Sequence, residues 1–558
     1  MKPGNSSDVV YKEVVIIGNG PSGIALSYML SGNLPFLISD SHPDEMLSMR
    51  LSSAVNRCLV KQDLRHLADG IEGRSTNPVS LLLDALLHPC ADIGLEMEPL
   101  VEFKKVGAEI DHVVLGKGPP GGSWHKMDPY ILTLSLGTWM ALPGLPFHSR
   151  DSGEKRAFAC NVANYYVQYV KEMNLSRYFI NNAIATNIAP LKGTRKEREA
   201  IERLTENLDR INQSKPCRLS DALNYLLSRG HRKRCCKRPR EGLCQGQSPD
   251  RKRELRRDRS VSLSCDSISC DSSSDSFSLE LKNARVPFRI TPVCDPEQKS
   301  NWVVETRNVE SGETTIYHCK YLVLANGASD LPNRLEFSKV KPDPEWLFHD
   351  LRSLEYHLDF YIRSKGAEEV EPVLIVGAGL SAADAVIATR GRNIPVLHVF
   401  RNKSADLNKQ LPENMYPEYH KVHQMMKDGG STYPYYTAYP EYTLFDVDET
   451  SRSVILASKS GETLKFRVSF AAVLIGSRPD LTFLPQEYNL GVKKDLPIDC
   501  KTNTLKINKL THCVEGFDDL FAVGPLAGDN FVRFIPGGAL AVVSELYRKN
   551  NDYCCRFT

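Results

Sequence analysis

A chain of 558 residues with 41% hydrophobic and 25% charged side chains is long enough for about three globular domains of ordinary composition. Its formal charge of +2 excludes a strongly basic nucleic-acid binder, so no nucleic-acid partner is expected. Fifteen cysteines over this length, six of them in one polar stretch (Cys217, Cys235, Cys236, Cys244, Cys265 and Cys270), make no disulfide framework and suit an intracellular, cytoplasmic or nuclear, setting.

Residues 1–11 read as a flexible start. Val14–Ile17 then form a continuous apolar run of the buried parallel-strand kind, leading into VVIIGNGPSG. No charge occurs from Val14 to Ser39, but Gly18, Gly20, Pro21, Gly23, Gly32 and Pro35 interrupt the run too often for a transmembrane segment, and no basic flank makes it a secretory signal. Ser22–Leu30 has helical spacing. Strand, G-x-G-x-x-G and helix together describe a phosphate cradle: Gly18 makes the turn, Gly20 admits a pyrophosphate, Gly23 lets the helix pack, and Pro21 and Ser22 open the helix whose amino terminus faces the anion. Phe36–Ser39 is expected as the second strand, closed by Asp40 about 20 residues on, where an acid accepts ribose hydroxyls.

Residues 156–175 read as an amphipathic helix with Val162, Tyr165, Tyr166, Tyr169 and Val170 on one side. Residues 192–285 change character. Arg229–Arg259 holds 13 Lys or Arg against 4 Asp or Glu, and 9 of the 17 positions from Ser260 to Ser276 are Ser, so this stretch is expected to be a disordered insert and a surface for regulatory protein partners. Its run RGHRKRCCKRPRE reads as a nuclear import signal, a contact for an acidic surface or a solvated charge cluster, and Ser260 behind RRDR as a site for a basophilic kinase. VPFRIT and NWVVETRN then alternate like a strand hairpin, and YLVLANG (Tyr321–Gly327) is a buried strand with a small-residue turn.

A second cradle begins at VLIVGAGLSAADAV. Gly377 and Gly379 follow an apolar strand, Ser381 opens a helix, and Ala382 takes the third glycine's place. The next strand, Val396–Arg401, ends without an acid. Arg401 and Lys403 stand where a ribose would sit, which suits a 2′-phosphate and so NADPH. A helix at Pro417–Met426, strands at Tyr442–Phe445, Ser453–Ala457 and Ala471–Gly476, LFAVGPLAGDN (Leu520–Asn530) and a last helix from Gly537 complete the pattern. One cofactor that stays and one that exchanges describe a flavoprotein fed by a nicotinamide cofactor, hence FAD and NADPH. Gly122 and Trp124 of GGSW fall where a flavin edge would lie, Asp529 of GDN where its ribityl chain would lie, and Gly524 at the end of LFAVG is a further cofactor-binding candidate. His125 reads equally as a flavin neighbour or a structural histidine.

The order GxGxxG, GGSW, ANG, GxGxxA, GDN resembles the flavin-containing and N-hydroxylating monooxygenases. GNGPSGIALSYMLSG, IEGRSTNPVSLLLDALLHP, HVVLGKGPPGGSW, VLIVGAGLSAADAV, YPEYHKVHQMM and GPLAGDNFVRF more specifically resemble the oxidative stress-induced growth inhibitor family, over most of residues 12–190 and 320–545. That resemblance implies an FAD-type α/β fold, NADPH-dependent monooxygenase activity of the C4a-hydroperoxyflavin type, and a role in growth, cell death or cell division. One departure stands out: the fingerprint F-x-G-x-x-x-H is reduced to WLFHD, with His349 alone, which puts the coupling of NADPH oxidation to oxygen transfer in question.

The expected architecture is α/β with two dinucleotide-binding, Rossmann-like domains. An FAD domain is built from residues 12–191, 286–339 and 471–547, an NADPH domain from 340–470 is inserted into it, and 548–558 form a flexible end. No metal site is expected: His231, Cys235, Cys236 and Cys244 match no zinc spacing, and His420 and His423 read as residues making packing or cofactor-edge contacts. Cys265 and Cys270 lie too far from the first glycine loop for a redox pair beside a flavin. The sequence leaves the catalytic residues and the substrate, small molecule or protein, open. A regulatory protein using the cofactor fold as a redox or nucleotide sensor, or an NADPH oxidase-like flavoprotein, are the competing readings.

Overall fold

The computed structural model describes residues 9–54, 56–95, 97–148, 155–191, 301–337, 343–365, 371–403, 412–485 and 488–550. The proposed disordered insert at 192–285, with its cysteines, basic run and Ser260, lies outside the described residues, as does VPFRIT.

The amino-terminal half begins with β1 (Val9–Ile17) and α1 (Pro21–Leu30), followed by a segment holding β2 (Asn33–Leu37), α2 (Glu45–Ser52), α3 (Leu64–Ala68), α4 (Pro78–Leu87) and β3 (Val101–Lys105). Next come β4 (His112–Leu115), β5 (Leu132–Leu136), β6 (Arg156–Phe158), α5 (Ala159–Glu172), β7 (Phe179–Ile180) and β8 (Ala183–Pro190). After the undescribed stretch follow β9 (Trp302–Asn308), β10 (Thr314–Leu324), β11 (Leu331–Pro332), β12 (Leu347–Phe348), α6 (Leu351–Lys365), β13 (Val373–Val376), α7 (Leu380–Gly391), β14 (Val396–Phe400) and α8 (Pro417–Asp428). The rest comprises β15 (Tyr436–Pro440), the meander β16 (Tyr442–Asp448), β17 (Ser453–Ser458) and β18 (Thr463–Arg467), then β19 (Phe470–Val473), β20 (Ser477–Arg478), β21 (Leu520–Ala522) and α9 (Ile535–Lys549).

The first sheet has the order β7-β4-β1-β10-β9-β8, with β21 also against β10. Strands β7, β4, β1, β10 and β21 run parallel, while β9 pairs antiparallel with both β10 and β8. A parallel sheet is covered on both faces, and the pleat divides β1 accordingly. Val14 and Ile16 enter one core with α1, α4, α5 and α9, whereas Val15 and Ile17 enter another with Trp302, Leu322 and Phe483. The second sheet, β12-β19-β13-β14-β15, is parallel throughout and surrounds its own core of Val373–Val376, Ala385, Val386 and Phe470–Leu474. The α/β class with a glycine turn at the central strand of each parallel sheet is thus the observed architecture.

Three expectations need correction. Phe36–Ser39 does not continue the parallel sheet: β2 ends at Leu37 and pairs antiparallel with β3, from Asn33↔Lys105 to Leu37↔Val101. The neighbour of β1 is β4, with Val14↔His112 and Ile17↔Leu115 in register. Residues 33–110 are therefore an elaboration between α1 and the second parallel strand. Local chemistry explains it, since Asp44 and Asp63 cap the short α2 and α3 through the backbone N–H groups of Leu47 (3.0 Å) and Arg65 (3.0 Å). The helix expected over 156–175 spans Ala159–Glu172, its first residues instead pairing as β6 with β5. The last helix starts two residues earlier than Gly537, at Ile535, with Pro536 in its first turn.

Candidate functional site

Two glycine turns arise where a central strand gives way to a helix, and the first of them lines a cleft. At the first, Ile17 leads into Gly18 at φ +114°, and a Cβ there would lie 2.3 Å from the Ala325 carbonyl oxygen. A Cβ at Gly23 would lie 2.0 Å from the Gly18 oxygen, so helix and strand meet with no room for a side chain. Gly20 faces open space instead, with nothing within 4 Å of its missing Cβ. Pro21 starts α1, no side chain caps that helix, and its leading N–H groups are left for an anion.

Distant segments complete this cleft, whose volume is about 370 Å³. Gly122 comes from GGSW, and its Cβ would fall 3.1 Å from the Gly20 Cα. Trp124 packs beside Tyr166, with ring centroids 6.5 Å apart, and lines the cleft. His125 holds its own turn: Nε2–H donates to the Pro120 carbonyl at 2.8 Å. From the far end of the chain, Gly524 sits so close to Ser22 that a Cβ would lie 2.1 Å from its Oγ. Asp529 lies in the cleft wall, 1% exposed, and its two oxygens accept from Ser75 Oγ (2.6 Å) and Ser80 Oγ (2.8 Å). Burial pushes its carboxyl pKa above the ordinary value. Those serines belong to the 33–110 elaboration, which is tied down again where Arg533 meets Asp92 (2.5 Å) and Asp84 (3.5 Å).

Asp40 is not brought to this cleft. It lies exposed beyond β2, its carbonyl accepting from Ser48 Oγ at 2.8 Å. The strand beside β1 runs instead into Leu115, Gly116 and Lys117. Lys117 Nζ bridges Asp330 (3.2 Å) and Asp480 (3.1 Å), and Lys126 reaches Asp330 at 3.3 Å. Lys117, Lys126, Asn326 and Asp330 all line the cleft. The sequence reading missed this group, although the run HVVL ahead of GKGPPGGSW carried the signal of a buried strand.

The second site, here termed the second cleft, repeats the turn on an open surface with a different surround. Gly377 has φ +136°, and a Cβ there would lie 2.3 Å from the Leu474 carbonyl oxygen. Gly379 is open and precedes α7, which again has no side-chain cap. Ser381 is exposed, while Ala382 is fully buried where the helix meets the sheet. Here the next strand, β14, does neighbour β13, and Arg401 and Lys403 follow it directly, both exposed. Below the turn, His398 was not foreseen: it is fully buried, with Nε2 2.7 Å from the Gly377 carbonyl and Nδ1 2.8 Å from Tyr436 Oη. The carbonyl only accepts, so Nε2 carries the proton and Nδ1 accepts from the tyrosine. Burial lowers the pKa of His398 to about 4. His112 has the same role in the first sheet, donating from Nδ1 to the Ile110 carbonyl (2.7 Å) and accepting from Ser27 (2.8 Å), with its pKa also lowered to about 4 by burial.

On α7, burial raises the carboxyl pKa of Asp384 to about 6, against a hydrogen bond from Tyr419. Nearby Arg156 joins β6 to α8 through Glu418 (2.7 Å) and lies over the Tyr416 ring, 4.9 Å from its centroid. His420 lies 2.8 Å from Gln424 and 3.7 Å from Glu413, an arrangement of packing and surface contacts. Among the described residues there is no cluster of three or more potential metal ligands, and no helix is long and apolar enough to cross a membrane.

Comparison with known proteins adds relatives that span the whole chain. No family model matches it. The human oxidative stress-induced growth inhibitor 2 is 36% identical over 550 residues, covering 95% of this chain and 92% of that protein. The mouse oxidative stress-induced growth inhibitor 1 is 34% identical over 96% of this chain and 95% of its own length. Among solved structures, a bacillithiol disulfide reductase from Bacillus cereus shares the fold, with a TM-score of 0.50, 12% identity, and coverage of 97% of this chain and 100% of that one. With relatives this similar from end to end, the chain belongs to the oxidative stress-induced growth inhibitor family.

Proposed function

We propose that this chain is a flavoprotein oxidoreductase, specifically an NADPH-dependent FAD monooxygenase whose product serves the control of growth or division. One observation carries the reading: two sheets each end a central parallel strand in a turn whose first residue, Gly18 or Gly377, has no room for a side chain, before a helix whose amino terminus is uncapped. The residues present fit a dinucleotide at each. In the first cleft, Gly18, Gly20, Pro21, Ser22 and Gly23 would hold the pyrophosphate of FAD. Gly524 and Asp529 would face its ribityl chain, and Gly122 and Trp124 would border its ring. In the second, Gly377, Gly379, Ser381 and Ala382 would take the NADPH pyrophosphate, with Arg401 and Lys403 on the 2′-phosphate. The domains would divide as residues 12–191, 286–339 and 471–547 around FAD and 340–470 around NADPH.

Bound flavin, reduced by NADPH, supplies the oxygen-activating chemistry. The chain's part would be to orient the two cofactors and keep water from the reacting ring, a task suited to Trp124, which lines the cleft and is backed by the buried Tyr166. The growth-inhibitor names of the relatives support the assignment to growth control.

A second reading, NADPH oxidation with release of peroxide, draws on His349. This remnant of the monooxygenase fingerprint hydrogen-bonds Asp343 at 3.0 Å and does not line the first cleft. Purified full-length protein reconstituted with FAD decides between them. A flavin spectrum bleached by NADPH without oxygen supports the oxidoreductase. Oxygen uptake exceeding peroxide release once a substrate is added marks the monooxygenase, and equal amounts mark the oxidase. Protein that stays colourless after reconstitution overturns both.

A further inference from the structure

We propose that the adenosine ribose in the first cleft is held by Asn326 and Asp330, on the loop after β10 and oriented by Lys117, in place of an acid closing the second strand. The assignment rests on the flavin-nucleotide reading and names the groups that recognise the sugar.

The topology removes the expected acid. The strand beside β1 ends in Leu115, Gly116 and Lys117, and Asp40 belongs to β2, paired elsewhere. A lysine ammonium has three donors and no acceptor, so Lys117 cannot itself receive a ribose hydroxyl. Two acceptors stand across from it. Asn326 Nδ2 donates to the Asp480 carbonyl at 3.1 Å, which fixes the amide's orientation. Its Oδ1 is then buried with no hydrogen-bond partner among the described residues, in a side chain that lines the cleft. A buried acceptor left unmade is costly, and a hydroxyl donor would satisfy it. The Asn326 backbone also abuts the glycine turn: a Cβ on Gly18 would lie 2.7 Å from its Cα. The second acceptor, Asp330, is held from two sides by Lys117 and Lys126, its side chain 14% exposed. The pair suits a free diol.

The test uses the full-length protein with excess NADP⁺ to fill the second cleft, and titrates FAD, ADP and 2′,3′-dideoxy-ADP. Wild type is expected to prefer ADP over the dideoxy analogue by about tenfold or more. Asn326→Leu and Asp330→Asn should each bring that ratio close to unity, and Asp40→Asn should leave it unchanged. Asp330→Asn keeps the side chain's shape and Asn326's bond to Asp480, and a ratio of two ligands on one protein is insensitive to a general loss of folding. A ratio lowered by Asp40→Asn but not by the other two overturns the assignment and leaves the flavin reading standing. A wild-type ratio of one, with FAD still bound, does the same. Protein that binds neither FAD nor ADP overturns both.

Discussion

The two clefts are the same turn set in different neighbourhoods. In α1 every residue from Ser22 to Leu30 is buried, because α4, α5 and α9 close around it. In α7 only Ala382, Ala385, Val386 and Thr389 are buried, and the turn from Ala378 to Ser381 is exposed. The first cleft takes its walls from segments hundreds of residues apart; the second is assembled almost wholly from consecutive elements. Burial of the first suits a group that stays, and openness of the second a group that comes and goes. The lesson is that one glycine motif specifies the same turn in both places, while its surroundings decide how far that turn is buried.

Substitutions can break this comparison. The largest effect is expected at Gly18→Ala and Gly377→Ala, where the new Cβ meets a backbone carbonyl at 2.3 Å in both sheets. Each should cost about 4 kcal/mol in chemical denaturation. Gly20→Ala and Gly379→Ala have room, so they should leave the melting temperature unchanged and weaken only FAD and only NADPH binding, respectively. Equal loss of both ligands from either variant would contradict separate sites.

Next in size is a dependence on acid. His112 and His398 have pKa values lowered from 6.5 to about 4, so each contributes stability that is present above pH 6.5 and lost as pH falls toward 4. The contribution is about 3 kcal/mol per histidine. Denaturation series between pH 7 and 4 should show the decline, and His398→Gln should flatten part of it. A slope unchanged by that replacement would mean that His398 is not held neutral.

The openness of the second cleft is sharpened by Arg401→Ala, which should weaken NADPH by about tenfold and leave NADH unaffected in equilibrium titration. The smallest effect concerns Asp384, whose pKa is raised from 3.8 to about 6. For a raised acid, the stability contribution is complete below pH 3.8 and lost as pH rises through 6. Asp384→Asn should therefore stabilise the protein at pH 7.5 and have little effect at pH 4. A destabilised variant at pH 7.5 would show that the ionised carboxylate is needed there.

Legibility in the sequence followed the same divide. Val373–Val376, GAGLSA and Arg401 could be read directly, because β13, α7 and β14 are contiguous and their apolar runs are central parallel strands. The glycines of the first loop were legible for the same local reason. Asp40 was misplaced because Phe36–Leu37 is apolar, lies at the right distance and does form a strand, but its partner is β3. Pairing is a property of two segments, and nothing in FLISD declares the second. Lys117, Asn326 and Asp330 escaped notice because their meeting depends on β4 and β10 flanking β1. The two histidines were hidden in the apolar runs HVVL and VLHVF, where a lone imidazole looks like any strand residue until Ser27 and Gly377 are seen beside it.

The reach of Gly524 and Asp529 into the first cleft has a consequence for how the protein is made. On the ribosome, β1 and its glycine turn emerge first, and the second sheet can form from its own consecutive strands as soon as β19 is out. The first cleft cannot close until β21 and α9 have followed. During synthesis, Ser75 and Ser80 wait for Asp529, and the exit of the final helix sets the moment at which the first cleft can be completed. A product terminated before β21 would keep the strands of the second sheet and lack a finished first cleft, a difference that limited proteolysis would detect.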